Sequence, residues 1–239
     1  MNNSILEFKD VGISFDNNKT FVLKDVNFSV FKGEILSIIG LNGTGKTTLL
    51  KIIAGIYKNY FGEIIKNYKK ISYVPQKINL DKTFPIKVYE FIRLYNGNVS
   101  SNLIKLFLEK FNSVDLFDRN INTLSGGEFQ KVMIISALIS KPDLILFDEP
   151  TSGIDVLGEE FFYELVSDVK NLFPYISIIL VSHNLNLVYK NSDKVLCLHK
   201  DNFCCHGTPS EIIDNLDARN IIGNYLLPYK HNPHKKCIH

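Results

Sequence analysis

The sequence predicts a mostly parallel α/β fold, and three observations point to it. Short runs of Ile, Leu and Val without polar alternation recur along the chain, at Ile35–Ile39, Leu144–Phe147, 176–181 and 195–198. Strands covered on both faces read this way, as they do in a sheet with helices packed over it. Helical stripes fall between the runs: Phe161, Phe162, Leu165, Val166 and Val169 share one face. Strands alternating with helices build a layered α/β core.

The remaining elements follow in order. The first 30 or so residues read as β-structure, with turns expected at Asp16-Asn17-Asn18 and Phe31-Lys32-Gly33. From about 85 to 117 the pattern changes. Val88, Phe91, Ile92 and Tyr95 form one helical stripe and Ile104, Phe107, Leu108 and Phe111 another, with no strand run between them. A helical insertion is expected there. The segment 229–239 is polar, contains Pro233 and reads as a frayed tail. At 239 residues the chain fits one large domain or a core with a small subdomain.

Composition excludes several classes. Lys and Arg total 27 against 25 Asp and Glu, a net charge of +2, which gives no reason to expect nucleic acid as a partner. No apolar stretch approaches the roughly 18–20 residues that span a bilayer; the longest, 132–139 and 176–181, have the length of buried core elements. The opening Met1-Asn2-Asn3-Ser4-Ile5-Leu6-Glu7 lacks the basic flank and apolar core of a secretory signal. Four Cys, with Cys204 and Cys205 adjacent, make no disulfide framework, so a reduced, cytosolic setting is the expectation.

Two motifs carry chemistry. Gly40-Leu41-Asn42-Gly43-Thr44-Gly45-Lys46-Thr47 matches G-x-x-x-x-G-K-[ST], follows the Ile35–Ile39 strand directly and leads into a helical stretch at 48–54. Glycines there let backbone N–H groups close around phosphates, and the following helix presents its positive end to them. Lys46 is expected to reach the β- and γ-phosphates of a nucleotide, and Thr47 to ligate Mg²⁺. Thr48 opens the helix beside them. The second motif, Leu144-Ile145-Leu146-Phe147-Asp148-Glu149, is an apolar strand ending in two carboxylates at the edge where α/β proteins bind ligands. Asp148 is expected to hold Mg²⁺ and Glu149 to polarise an attacking water. Alone, an acidic strand end is more often a solvated terminus; beside the phosphate loop the two motifs explain each other.

Leu124-Ser125-Gly126-Gly127-Glu128 lies just before a helical pattern at 129–139. Ser125 with Glu128 three residues on is also the pattern of an ordinary helix cap. The order of phosphate loop, Gln76, LSGGE, LILFDE and His183 resembles the ABC (ATP-binding cassette) ATPase family over essentially the whole chain. The resemblance implies a RecA-like P-loop NTPase core with an N-terminal antiparallel β subdomain and an α-helical subdomain inserted at about 85–138. It implies one ATPase domain over 1–228, followed by the tail at 229–239. It further implies ATP and Mg²⁺ as ligands. Ser125, Gly126, Gly127 and Glu128 would dock on the γ-phosphate held by a second copy of the chain. Phe15 would stack on adenine, Gln76 would contact Mg²⁺ or water and sense a permease, and His183 would contact the γ-phosphate. Asp155, in Ser152-Gly153-Ile154-Asp155, would belong to the loop linking the two sites. Lys131 and Ser136 depart from the Arg residues usual in the family, a change expected to affect subunit packing.

The segments from Thr83 to Ile92 and 195–209 are similar to ATPases of zinc/manganese-type metal importers. That similarity implies import of a divalent metal through a separate permease, fed indirectly by an extracytoplasmic metal-binding protein, with the chain at the cytoplasmic face of the inner or plasma membrane. Another solute, imported or exported, is the alternative. His231, His234, Cys237 and His239 offer metal-binding side chains, but their spacing fits no closed site, and Cys204, Cys205 and His206 read as strand and turn residues. ABC ATPases of chromosome maintenance carry long coiled coils between phosphate loop and signature; the stretch from Lys46 to Ser125 holds no heptad run.

Overall fold

The computed structural model describes residues 4–16, 20–76, 85–151, 156–199 and 204–214. Two sheets organise the chain. Strands β1 (Ser4–Ser14), β2 (Phe21–Phe31) and β4 (Phe61–Lys66) form an antiparallel sheet in the order β2-β1-β4. Cross-strand pairs such as Phe8 opposite Phe28, whose rings stack at 4.6 Å, hold its register. The chain leaves β2 through a turn in which Glu34 N donates to Phe31 O at 3.1 Å, and enters the larger sheet.

That sheet has the order β5-β6-β7-β3-β8-β9, from β3 (Ile35–Ile39), β5 (Ile71–Val74), β6 (Leu144–Phe147), β7 (Ser177–Val181), β8 (Lys194–Leu198) and β9 (Cys204–Gly207). Its first five strands pair in parallel and β9 closes one edge antiparallel. Successive residues of each run face opposite cores. Leu36, Ile38, Leu144, Leu146, Ile179 and Val181 pack against the antiparallel sheet and helix α1 (Lys46–Ile53). Ile35, Ile145, Phe147, Ile178 and Leu180 pack against helices on the other side. Double coverage is the physical reason these runs show no polar alternation.

Between β5 and β6 the described residues are helical, with α2 (Val88–Asn96), α3 (Ser101–Lys110) and α4 (Gly126–Ile139), joined by short 3₁₀ turns at Val114–Leu116 and Ile121–Thr123. α5 (Val156–Leu172), α6 (Leu185–Asn191) and α7 (Pro209–Asp214) complete the order. The stripes expected at Val88, Phe91, Ile92 and at Ile104, Phe107, Leu108 are buried in one core with α4 and α5. α4 is apolar nearly all round because it lies between the other helices and the sheet.

The two family departures sit within this packing. Lys131 Nζ lies 5.5 Å over the Phe161 ring, keeping a cationic contact of the kind an arginine makes. Ser136 is buried, and its hydroxyl donates to Val132 O at 2.8 Å, one turn back along α4. Cys205 and His206 lie in β9, as the strand reading expected, and among the described residues no group of three or more His, Cys, Asp or Glu side chains is placed to hold a metal ion. The tail 229–239 lies outside the described residues. No helix among the described residues is long and apolar enough to cross a membrane.

Candidate nucleotide-binding and hydrolysis site

The site forms where β3, β5, β6 and β7 end on the same side of the sheet, as parallel strands require. β3 runs into the loop beginning at Gly40, where φ is +150° and an added Cβ would stand 2.3 Å from Leu198 O and 2.9 Å from Thr44 Oγ1. Only glycine fits there. Gly40→Ala is expected to cost about 3 kcal/mol from steric clash and backbone strain together, read as a lowered denaturation midpoint of the purified chain.

The loop closes on itself. Thr44 is buried, and its hydroxyl donates to Leu41 O at 2.9 Å, so this side chain shapes the loop from within. Gly45 caps α1 in a left-handed conformation and supplies no side-chain cap, and among the described residues no side chain accepts from the first-turn N–H groups. Those groups are free to meet an anion at a positive helix end. A cavity of about 480 Å³ opens above them, lined by Asn42, Gly43, Gly45, Lys46, Thr47 and Thr48, together with Gln76, Glu149 and Val22. Val22 was not singled out in the sequence. It comes from β2, which the antiparallel sheet brings over the loop.

Lys46 is buried and donates to Gly40 O at 2.9 Å and Leu41 O at 3.1 Å. Burial holds its ammonium below the usual lysine range, against the opposing pull of Glu149 and Asp148. Lys46 Nζ stands 3.9 Å from Glu149 Oε1, and His183 Nε2 stands 2.8 Å from that same oxygen. Gln76 Nε2 donates to Glu149 Oε2 at 2.5 Å. Glu149 itself has φ +47°, a left-handed backbone costly for a residue with a side chain. Three residues far apart in sequence thus meet one carboxylate.

Asp148 forms a second centre beneath them. It is 1% exposed; Thr47 Oγ1 donates to its Oδ1 at 2.9 Å and Tyr73 OH to its Oδ2 at 3.0 Å. Burial pushes the Asp148 carboxyl up, although both hydrogen bonds favour ionisation. Burial, then the Asp148 charge, pushes the Tyr73 phenol up as well, so it stays a donor. A hydroxyl and a carboxylate converging beside a phosphate loop are hard oxygen donors, and this set fits Mg²⁺. The role of Tyr73 was not read from the sequence. Ile71–Val74 is too short a run to stand out as a strand, so the direction of Tyr73 was not legible.

Other candidate residues lie elsewhere. Phe15 is 60% exposed at the end of β1, its ring 5.3 Å from that of Tyr57, with a face available for stacking. Ser125 caps α4: Glu128 N donates to Ser125 Oγ at 3.3 Å while Ser125 N donates to Glu128 Oε2 at 2.8 Å. Arg119 pins the Glu128 carboxylate at 2.6 Å. Capping occupies a lone pair of Ser125 Oγ and leaves its O–H to donate. An added Cβ at Gly126 would meet nothing within 4 Å, so backbone approach there is open. None of Ser125, Gly126, Gly127 or Glu128 lines the cavity over the phosphate loop. Asp155 lies outside the described residues.

Comparison with known proteins identifies the family. The family model described as ABC transporter matches residues 23–152. The chain is 41% identical over 236 residues to the zinc import ATP-binding protein ZnuC of Rickettsia bellii, covering 98% of this chain and 100% of that one. It is 40% identical to the protein of that name from Buchnera aphidicola subsp. Baizongia pistaciae, covering 95% of each. Among solved structures, the ADP conformation of an ATP-binding cassette from an ABC transporter superposes with a TM-score of 0.79 at 22% identity, covering 91% of this chain and 98% of that one, which shows the shared fold.

Proposed function

The chain belongs to the ABC transporter family and is an ATP-hydrolysing subunit of such a transporter, and from that premise we propose that it powers zinc import through a separate permease. One fact supports the cargo: the relatives named for zinc import match nearly end to end. The observation that carries the hydrolytic reading is the meeting of Lys46, Gln76 and His183 at the Glu149 carboxylate.

In this reading the phosphate-loop amides and Lys46 bind the triphosphate of ATP, and Phe15 stacks on its adenine. Thr47 and Asp148, with Gln76 nearby, would hold Mg²⁺, which would supply positive charge to offset that of the phosphates. Glu149 takes a proton from a water as that water's oxygen attacks the γ-phosphorus. A new P–O bond forms, the bond to the β–γ bridging oxygen breaks, and ADP and phosphate are the products. Lys46 and His183 stabilise the charge developing on the transferred group.

The exposed start of α4 supports a second copy as the remaining wall of the site. Ser125, Gly126 and Gly127 of one chain would cover the γ-phosphate held by the other, so that ATP stabilises a homodimer that opens after hydrolysis. The helical insertion would pass that opening to the permease at the cytoplasmic membrane face, with an extracytoplasmic metal-binding protein delivering the ion.

Cells lacking this chain are expected to lose high-affinity zinc uptake, to regain it with the parent chain, and not to regain it with Glu149→Gln. Should zinc uptake persist while transport of manganese or another solute fails, the cargo is not zinc.

A further inference from the structure

We infer that Glu159 is a positioning residue for hydrolysis, tying the segment that follows Glu149 to the segment that follows His183. The inference rests on the reading of Glu149 as the base for the attacking water and of His183 as a group that stabilises charge on the transferred phosphoryl group.

Glu159 lies in the first turn of α5 and does not line the nucleotide cavity. Its Oε1 accepts from Thr151 Oγ1 at 3.0 Å, two residues beyond Glu149. Its Oε2 accepts from Asn184 Nδ2 at 2.8 Å, one residue beyond His183. Asn184 is held in turn: its backbone N–H donates to Ser182 Oγ at 3.1 Å, and its Oδ1 accepts from Leu187 N at 3.2 Å to cap α6. The contacts close a ring through Glu149, His183, Asn184, Glu159 and Thr151.

The ring matters because it ties together the backbone that follows each catalytic group, whereas Lys46, Gln76 and His183 meet Glu149 at its carboxylate. The His183 side chain is 47% exposed, so packing constrains it weakly and its place depends on the backbone of 182–184. Glu149 sits in a left-handed conformation, which persists only where neighbouring structure enforces it. One carboxylate with two acceptor oxygens can bind both loops at once. The rival role for an acid here is general support of the α5 N-terminus by its charge.

Glutamine separates the two roles. Glu159→Gln loses the charge but can still accept from Asn184 and donate to Thr151, whereas Glu159→Leu loses both bonds. Steady-state ATPase of the full-length chain with Mg·ATP is the readout. Glu159→Leu is expected to lower kcat on the order of tenfold or more with KM for ATP little changed, since the loss is of orientation rather than binding. Glu159→Gln keeps most of the parental kcat. Thr151→Val, nearly isosteric, shifts kcat the same way by less and carries the test if Glu159→Leu does not fold. Parental kcat in Glu159→Leu beside a slow His183→Ala overturns the inference, as does Glu159→Gln failing like Glu159→Leu. Parental kcat in His183→Ala instead overturns the catalytic reading beneath it.

Discussion

Glu149→Gln is expected to lower ATP turnover by about a hundredfold or more while nucleotide binding survives. An amide of nearly the same shape fills the same space, so the cavity beside Gln76 and Lys46 is retained. What disappears is the ability to take a proton: the oxygen that lies 2.8 Å from His183 Nε2 becomes part of a group that is not a base. Because hydrolysis is what would open the dimer, the variant should also accumulate as a dimer with ATP. Phosphate release, binding of a fluorescent ATP analogue and light scattering check the three parts. Parental turnover in this variant removes Glu149 from the role of base.

Lys46→Ala carries the second large effect, and it falls on binding. The side chain is buried and aimed along the loop, with its ammonium within 3.9 Å of Glu149. A charge-assisted hydrogen bond to a phosphate contributes roughly 1.5–3 kcal/mol, so affinity for ATP should fall at least about tenfold and hydrolysis with it. Lys46→Arg should not restore binding, because a planar fork cannot replace a compact ammonium in a closed loop. Isothermal titration with ATP is the measurement; unchanged affinity would place the triphosphate elsewhere.

Lys46 and Asp148 together predict a narrowed pH range. Burial lowers the Lys46 value, so binding that needs its ammonium is present at lower pH and is lost as pH rises through that depressed value. Burial raises the Asp148 value, so metal holding by its carboxylate is present at higher pH and is lost as pH falls through that raised value. Activity should therefore decline from both sides sooner than ordinary lysine and aspartate would allow.

Much of this was legible in the chain itself. Ile35–Ile39 and Leu144–Phe147 are strands over the residues their apolar runs marked, since a strand buried on both faces shows no exposed polar alternation to blur its ends. β4 and β5 escaped notice because Phe61–Lys66 and Ile71–Val74 keep only partial burial at sheet edges and carry no such run. The residues that support the site were hidden for another reason. Tyr73, Asn184 and Glu159 are ordinary polar residues in sequence, and nothing in their spacing reveals a partner 75 or 25 residues away.

The amino-acid order alone determined the phosphate loop, its following helix, the acid pair at a strand end and the family these motifs imply, because local backbone chemistry and buried periodicity are written in neighbouring residues. Only tertiary structure decided that Lys46, Gln76 and His183 converge on Glu149, that Thr47 and Tyr73 flank Asp148, and that Ser125 stands outside its own chain's nucleotide cavity. The reason is the order of the parallel sheet: β3, β6 and β7 are adjacent in space though separated in sequence, and their common edge gathers what the chain itself keeps apart.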